Sequence, residues 1–152
     1  TFQSISYRSS KEHGLSLQFE EQKEAPSRMV VCKAIDVYNS DAVKGWSCFS
    51  RLPIEMAVKR QDGSLITFLL EKETTGKDIV QQLGEPDRKG GGEPLKGGGA
   101  SGLGPGAWME WKVHYKKRTV LIMIELAGLE ARGRNRWEKE QAGSARWGVC
   151  TF

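Results

Sequence analysis

Apolar and polar residues alternate along much of this chain with the two-residue period of a half-buried strand. Leu15, Leu17 and Phe19 alternate with Ser16, Gln18 and Glu20. Before them, Ser4 to Ser9 carries Ile5 and Tyr7 between polar neighbours, and Lys11-Glu12-His13-Gly14 reads as the turn of an N-terminal hairpin. Arg28 to Tyr38 is rich in β-branched residues and reads as a strand with Met29, Val31, Lys33, Ile35 and Val37 on one face. Ile54 to Arg60 and Leu65 to Leu70 flank Gln61-Asp62-Gly63-Ser64, and Asp-Gly between two β-like runs predicts a second hairpin. Trp108 to Tyr115 places Met109, Trp111, Val113 and Tyr115 on a buried face. Thr119 to Leu126 is the most apolar run and is expected at the centre of a sheet. Ala145 to Phe152 predicts a closing strand with Trp147, Val149 and Thr151 against Gly148, Cys150 and Phe152.

The period changes once, after Leu70. Leu65 to Leu70 predicts a buried strand. Thr74 or Thr75 then supplies a helix N-cap, with Asp78 three residues after Thr75, as in a capping box. Ile79, Val80 and Leu83 give a short helix a single apolar stripe. Gly84 is placed for a left-handed C-cap, and Pro86 prevents continuation. The predicted fold class is therefore α+β, a mostly antiparallel sheet of about six to eight strands packed with one or two short helices. Residues 1–152 are read as a single domain with a flexible Gly-rich insertion at about 87–107, because the stretch from Glu85 to Ala107 holds nine of the 18 glycines. Gly128 to Gly143 reads as loop with a short helix in it.

Composition removes more functions than it adds. A net charge of +4 is mildly basic and identifies no partner. Cys32, Cys48 and Cys150 are scattered, with no CxxC pair, which points to a reducing compartment, cytoplasm or nucleus. No apolar run approaches the ~20 residues a membrane-spanning helix needs. In the Gly-rich stretch Lys96 precedes Gly97-Gly98-Gly99, and no Ser or Thr follows a Gly-Lys pair, so it is not a Walker loop. His13 and His114 have no Cys or carboxylate at zinc-site spacing. Cys150 with His114 is a nucleophilic pair only if the fold joins them, and Asp36, Glu110 and Glu125 are acid–base candidates on the same condition. No cofactor or metal is expected. Two basic clusters remain: Lys116, Lys117 and Arg118, and then Arg132, Arg134 and Arg136 with Arg146, interleaved with Trp137 and Trp147. Arginine beside an aromatic ring suits phosphate contact and base stacking.

The stretch Thr74-Thr75-Gly76-Lys77-Asp78-Ile79-Val80-Gln81-Gln82-Leu83-Gly84-Glu85-Pro86 resembles the conserved helix of the eukaryotic phagophore assembly factor family. It also resembles the corresponding helix of outer-membrane assembly lipoproteins of the SmpA/BamE type. An aromatic strand and an apolar strand follow in that order, as Trp108 to Tyr115 and Val120 to Leu126 do here. The resemblance rests on Thr75, Asp78, Leu83, Gly84 and Pro86, and implies a protein that binds other proteins rather than an enzyme. The expected function is a non-catalytic protein-interaction module, a scaffold or assembly-factor subunit of an intracellular complex. Its alternative is binding of RNA or another anionic surface through Lys116–Arg118 and Arg132–Arg146.

Overall fold

A computed structural model describes residues 4–22, 28–39, 44–92, 106–138 and 143–152. The first hairpin forms from β1 (Ile5–Ser10) and β2 (Leu15–Gln22), joined by a 3₁₀ turn and by Gly14 in the left-handed region. Then come β3 (Met29–Tyr38), β4 (Ile54–Lys59) and β5 (Leu65–Leu70). The β4–β5 turn closes as its Asp-Gly pair predicts. Gly63 takes positive φ, and Asp62 accepts hydrogen bonds from the N–H and hydroxyl of Ser64, which hold its carboxyl below the ordinary value. The helix α1 (Gly76–Leu83) follows, then β6 (Arg88–Gly90), β7 (Trp108–Tyr115), β8 (Arg118–Leu126) and β9 (Trp147–Thr151).

These nine strands form one antiparallel sheet in the order β1-β2-β3-β9-β8-β7-β4-β5, with β6 added to β7. The expected α+β class is thereby corrected to a small β-rich fold: among the described residues nine strands stand against one eight-residue helix and two 3₁₀ turns. The reason is dimensional. Eight helical residues rise about 12 Å, whereas eight strands side by side span about 34 Å. One such helix covers about a third of the sheet's width and cannot form a layer. One segment read as loop goes elsewhere: Arg88–Gly90 becomes a strand. The stretch after Gly128, read as loop with a short helix, forms a 3₁₀ turn at Leu129–Ala131.

One face of the sheet carries the core. Met109, Trp111 and Val113 of β7 pack with Ile122, Ile124 and Leu126 of β8, beside Phe68 and Leu70 of β5 and under Ile79 and Leu83 of α1. Two bulges change which side chains join them. Gln18 pairs with Ala34 and Phe19 with Cys32, so Lys33 is skipped. Parity therefore inverts: Ile35 and Val37 stay on the core face, and Met29 and Val31 swing to the other. A second irregularity, between Glu125 and Leu126 opposite β9, lets Trp147 and Cys150 both point inward, although strict alternation puts them on opposite faces. Leu65–Leu70 is an edge strand rather than a fully buried one. Phe68 and Leu70 are buried, but Leu65 is 80% exposed.

The helix signals behave as their chemistry predicts. Thr75 N–H and Oγ1 both donate to Asp78 Oδ2, and Asp78 N–H donates to Thr75 Oγ1. These bonds hold the Asp78 carboxyl below its ordinary value. Gly84 has positive φ, but its ψ of −167° is not the left-handed cap expected. The carbonyls at that end are met instead by Arg60, whose guanidinium donates to the oxygens of Gln81 and Gln82. Gln82 pairs through its side-chain amide with both backbone groups of Leu69, closing the outer edge of β5 there.

The expected insertion at about 87–107 is built into the fold at both described ends, while residues 93–105 lie outside the described part. Gly91 and Gly92 have positive φ, and a Cβ on Gly92 would sit 2.5 Å from the Ala131 carbonyl oxygen. Gly106 is equally tight, with its Cβ position 2.4 Å from the Leu126 carbonyl oxygen.

Two substitutions check this packing by thermal melting. Leu83→Asp puts a charge into the core and costs at least the about 2–5 kcal/mol of a large-to-small core change, so Tm falls by roughly 5–15 °C. Gly92→Ala meets both forbidden φ and backbone contact and costs at least about 1–2 kcal/mol. An unchanged Tm in either variant contradicts the packing described.

Candidate interaction surfaces

The sequence-level catalytic candidates do not assemble. Cys150 is buried on the core face, and burial, then the Asp36 charge, pushes its thiol well above the ordinary value. His114 lies on the opposite face, exposed, with Nδ1 bonded to Thr119 Oγ1 at 3.3 Å. His13 is at the far hairpin, its Nδ1 2.7 Å from Ser10 Oγ. Asp36, Glu110 and Glu125 do share the open face. Asp36 and Glu110 are joined through Thr151 and Met123, three strand spacings or about 14 Å. Each carboxylate is already engaged. Asp36 accepts from the Thr151 hydroxyl at 2.6 Å, Glu110 faces Arg88 at 3.5 Å, and Glu125 accepts from Gly106 N–H at 3.0 Å. Among the described residues no group of three His, Cys, Asp or Glu side chains could hold a metal ion.

The two basic clusters stand apart. Lys116, Lys117 and Arg118 form the exposed β7–β8 turn, with Lys116 Nζ 5.3 Å from the Tyr115 ring. Arg132, Arg134, Arg136 and Trp137 follow the far end of β8, a strand length of about 25 Å away. Within the second group Arg136 has backbone work. Its Nε donates to Gly91 O at 2.6 Å and its Nη1 to Gly133 O at 3.0 Å, which ties the Gly-rich segment to the following loop. Arg146 pairs with Glu73 at 2.6 Å. Trp137 lies under Lys89 and lines a groove of about 740 Å³ with Val80, Pro86 and Met109.

Sequence reasoning missed two surfaces. The first is the N-terminal arm. β3 pairs with β2 from Met29 to Val37, but its other edge meets β9 only from Asp36 to Tyr38, with Ile35 bonded to Phe152 just before. From Met29 to Ala34 that edge has no strand neighbour among the described residues. Met29 is 55% and Val30 61% exposed. The charges beside them are neutralised within the arm, Arg28 by Glu21 at 3.4 Å and Lys33 by Glu20 at 3.1 Å. The second is the open face where β4 meets β7. The pairing of Lys59 with His114 brings Lys59 beside Lys112 and the Lys116–Arg118 turn. Alternation along β7 exposes Lys112 and His114 in the sequence, but Lys59 joins them only once β4 is known to pair with β7.

No protein-family model matches the chain, and no curated protein or solved structure matches it either. Among the described residues no helix is long and apolar enough to cross a membrane.

The thiols give a direct check of this geometry. Cys32 is exposed, Cys48 half-buried and Cys150 buried. Because the thiolate is the reactive form, a thiol-labelling time course on the native chain should modify Cys32 first, Cys48 slowly and Cys150 only on unfolding. Early labelling of Cys150 contradicts its place in the core.

Proposed function

We propose that this chain is a non-catalytic protein-interaction module, a scaffold or assembly-factor subunit of an intracellular complex. Its partner supplies an extended, uncharged and apolar segment that adds a strand to β3. The observation that carries the reading is the edge from Met29 to Ala34, which has no strand neighbour among the described residues. Unpaired N–H and C=O groups along a strand are a template for another strand, and main-chain bonding of this kind is a common mode of peptide recognition. The chemistry of the edge selects the segment. Glu20 and Glu21 already satisfy Lys33 and Arg28, so a charged segment gains no ion pair, whereas Met29 and Val30 offer apolar contact.

The edge at the other side of the sheet supports the contrast. There β5 is closed at Leu69 by the Gln82 amide, one of the ways proteins blunt edges they do not use. The resemblance of Thr74–Pro86 to assembly-factor helices favours the same class of role. Three thiols in separate places, none paired, suit a reducing compartment. The nucleic-acid alternative has less support. Its two clusters lie at opposite ends of β8, and Arg136 and Arg146 are engaged within the chain.

The test is partner retention. The wild-type chain should hold a stoichiometric protein partner on purification from its native host. Met29→Lys with Val30→Lys should weaken that partner at least ~10-fold, because lysine on an edge opposes strand addition, while Tm stays unchanged. Leu129→Lys, at a more exposed position remote from the edge, is the control. Retention by the double variant, or equal loss in the control, rules out the edge as the site.

A further inference from the structure

We propose that the open face of the sheet around Lys59, Lys112 and His114 docks the protein on an anionic lipid bilayer. Leu65, Lys59, His114 and Thr119 form one row across β5, β4, β7 and β8. Lys112 pairs with Leu121 two residues along the same face. At the end of that hairpin Lys117 is exposed in the turn, whereas Lys116 lies over Tyr115 and Arg118 pairs with it, both toward the core side. Among the described residues, no ion pair involves Lys59, Lys112, Lys116, Lys117 or Arg118. The neighbouring carboxylates are directed elsewhere: Asp62 accepts from Ser64, and Asp87 accepts from the Lys112 backbone N–H at 2.7 Å and from Gln61 Nε2 at 2.9 Å. Asp62 and Asp87 keep their charge, but neither forms an ion pair with Lys59, Lys112 or Lys117, and Glu110 a short way along the face is paired with Arg88.

The composition of the patch selects a bilayer over other anions. Its cations, Lys59, Lys112 and Lys117, are all lysines, point charges without the planar fork that reads a phosphate or carboxylate in fixed geometry. A fluid array of headgroups demands no such geometry, and juxtamembrane lysines are drawn to anionic leaflets in this way. No aromatic ring in the patch offers a face for a base to stack on, since Tyr115 belongs to the core side under Lys116. What stands among the cations is aliphatic. Leu65 is 80% and Leu121 47% exposed, and both point out of the same face. Apolar side chains beside lysines are the pairing that an interfacial surface uses. This surface is separate from the Met29–Ala34 edge of β3, so either assignment can fail without the other.

The experiment is co-sedimentation with vesicles of phosphatidylcholine alone and of phosphatidylcholine carrying about a third phosphatidylserine, at ~50 and ~200 mM salt, a range over which screening shortens from roughly 14 to 7 Å. The chain should sediment with the serine-lipid vesicles at low salt and not with phosphatidylcholine alone. Lys59→Glu with Lys112→Glu and Lys117→Glu should weaken binding at least ~10-fold, since each lysine acts through the surface potential. Lys11→Glu with Lys72→Glu and Arg134→Glu changes net charge equally but leaves the patch intact, and should shift binding by less than about twofold. Leu65→Ser with Leu121→Ser should spare low-salt binding and remove what persists at high salt. All substituted side chains are exposed, and an unchanged Tm confirms folding. No sedimentation with serine-lipid vesicles at low salt overturns the proposal. So do equal losses in the patch and control variants, and displacement from vesicles by equimolar single-stranded RNA.

Discussion

The polar clamp at the C-terminal end of α1 holds the sheet's design together. An isolated eight-residue helix does not persist in water, because nucleation costs more than so few hydrogen bonds return. Here its last carbonyls are met by Arg60 from the end of β4. Gln82 reaches across to pair with Leu69, and the Gly84 carbonyl accepts the Trp111 indole N–H at 2.9 Å. Three strands are thus tied to one turn of helix, and the apolar stripe of Ile79 and Leu83 is set onto Phe68, Leu70 and Trp111. The chain leaving the helix continues the same work. Asp87 accepts from Lys112 N–H and donates its own N–H to Glu110 O, filling the gap on β7 between β4 and β6. One partly buried, satisfied polar network therefore does for this sheet what a covering element does elsewhere, closing an edge and fixing a register.

The same arrangement explains why the molecule is unequal from end to end. The helix and the loops after β8 cover the half of the sheet from β9 to β5. The arm of β1, β2 and the outer part of β3 extends past that cover, which is why β1 is exposed almost throughout. Its exposed apolar residues are not an accident of composition. The Lys33 bulge turns Met29 and Val31 away from the core face, so that Met29, which alternation would bury, is exposed. Bulges of this kind increase twist and terminate pairing, and this one falls where β3 parts from β9.

How much of this was legible in the sequence depended on the range of the interaction. Thr75 and Asp78 are three residues apart, and their reciprocal bonds could be read from spacing alone. So could the Asp62-Gly63 turn and the buried face of β7. Parity across Lys33 and across Gly148 could not, because a bulge leaves no mark in a pattern of apolar residues. Arg136 shows the same limit at the level of a site. Beside Trp137 it has the composition of a phosphate contact, yet its guanidinium is committed to the Gly133 carbonyl of its own turn and to the Gly91 carbonyl of a distant segment. Lys59 was unremarked for the opposite reason, since its neighbours Lys112 and His114 lie more than fifty positions away in the chain. The helix also weighed too heavily. It was the clearest local signal, and one clear helix was taken as a layer when most of the sheet is covered by loops or by nothing.

The arm would be of little use to a partner if it swung freely, and its root shows why it does not. Asn39, buried immediately after β3, donates from Nδ2 to the carbonyls of Lys72 and Trp147, and from its backbone N–H to Gly148. Trp147 in turn donates its indole N–H to Glu71 O at 2.7 Å. Gly76 N–H, in the first turn of α1, donates to Ala145 O. A continuous chain of buried bonds therefore runs from the end of β3, through the start of β9, to the N-terminus of the helix. Tyr38 adds to it on the open face, stacked on Trp46 at 3.9 Å, its hydroxyl pushed up by burial and by the charges of Asp36 and Glu125. Breaking any member leaves a buried polar group unpaired, at a cost of about 1–3 kcal/mol, so the root resists bending more than its few strand pairs suggest. A segment added along Met29–Ala34 would extend a platform already fixed in the core, and little ordering entropy would be lost on the protein's side of the contact.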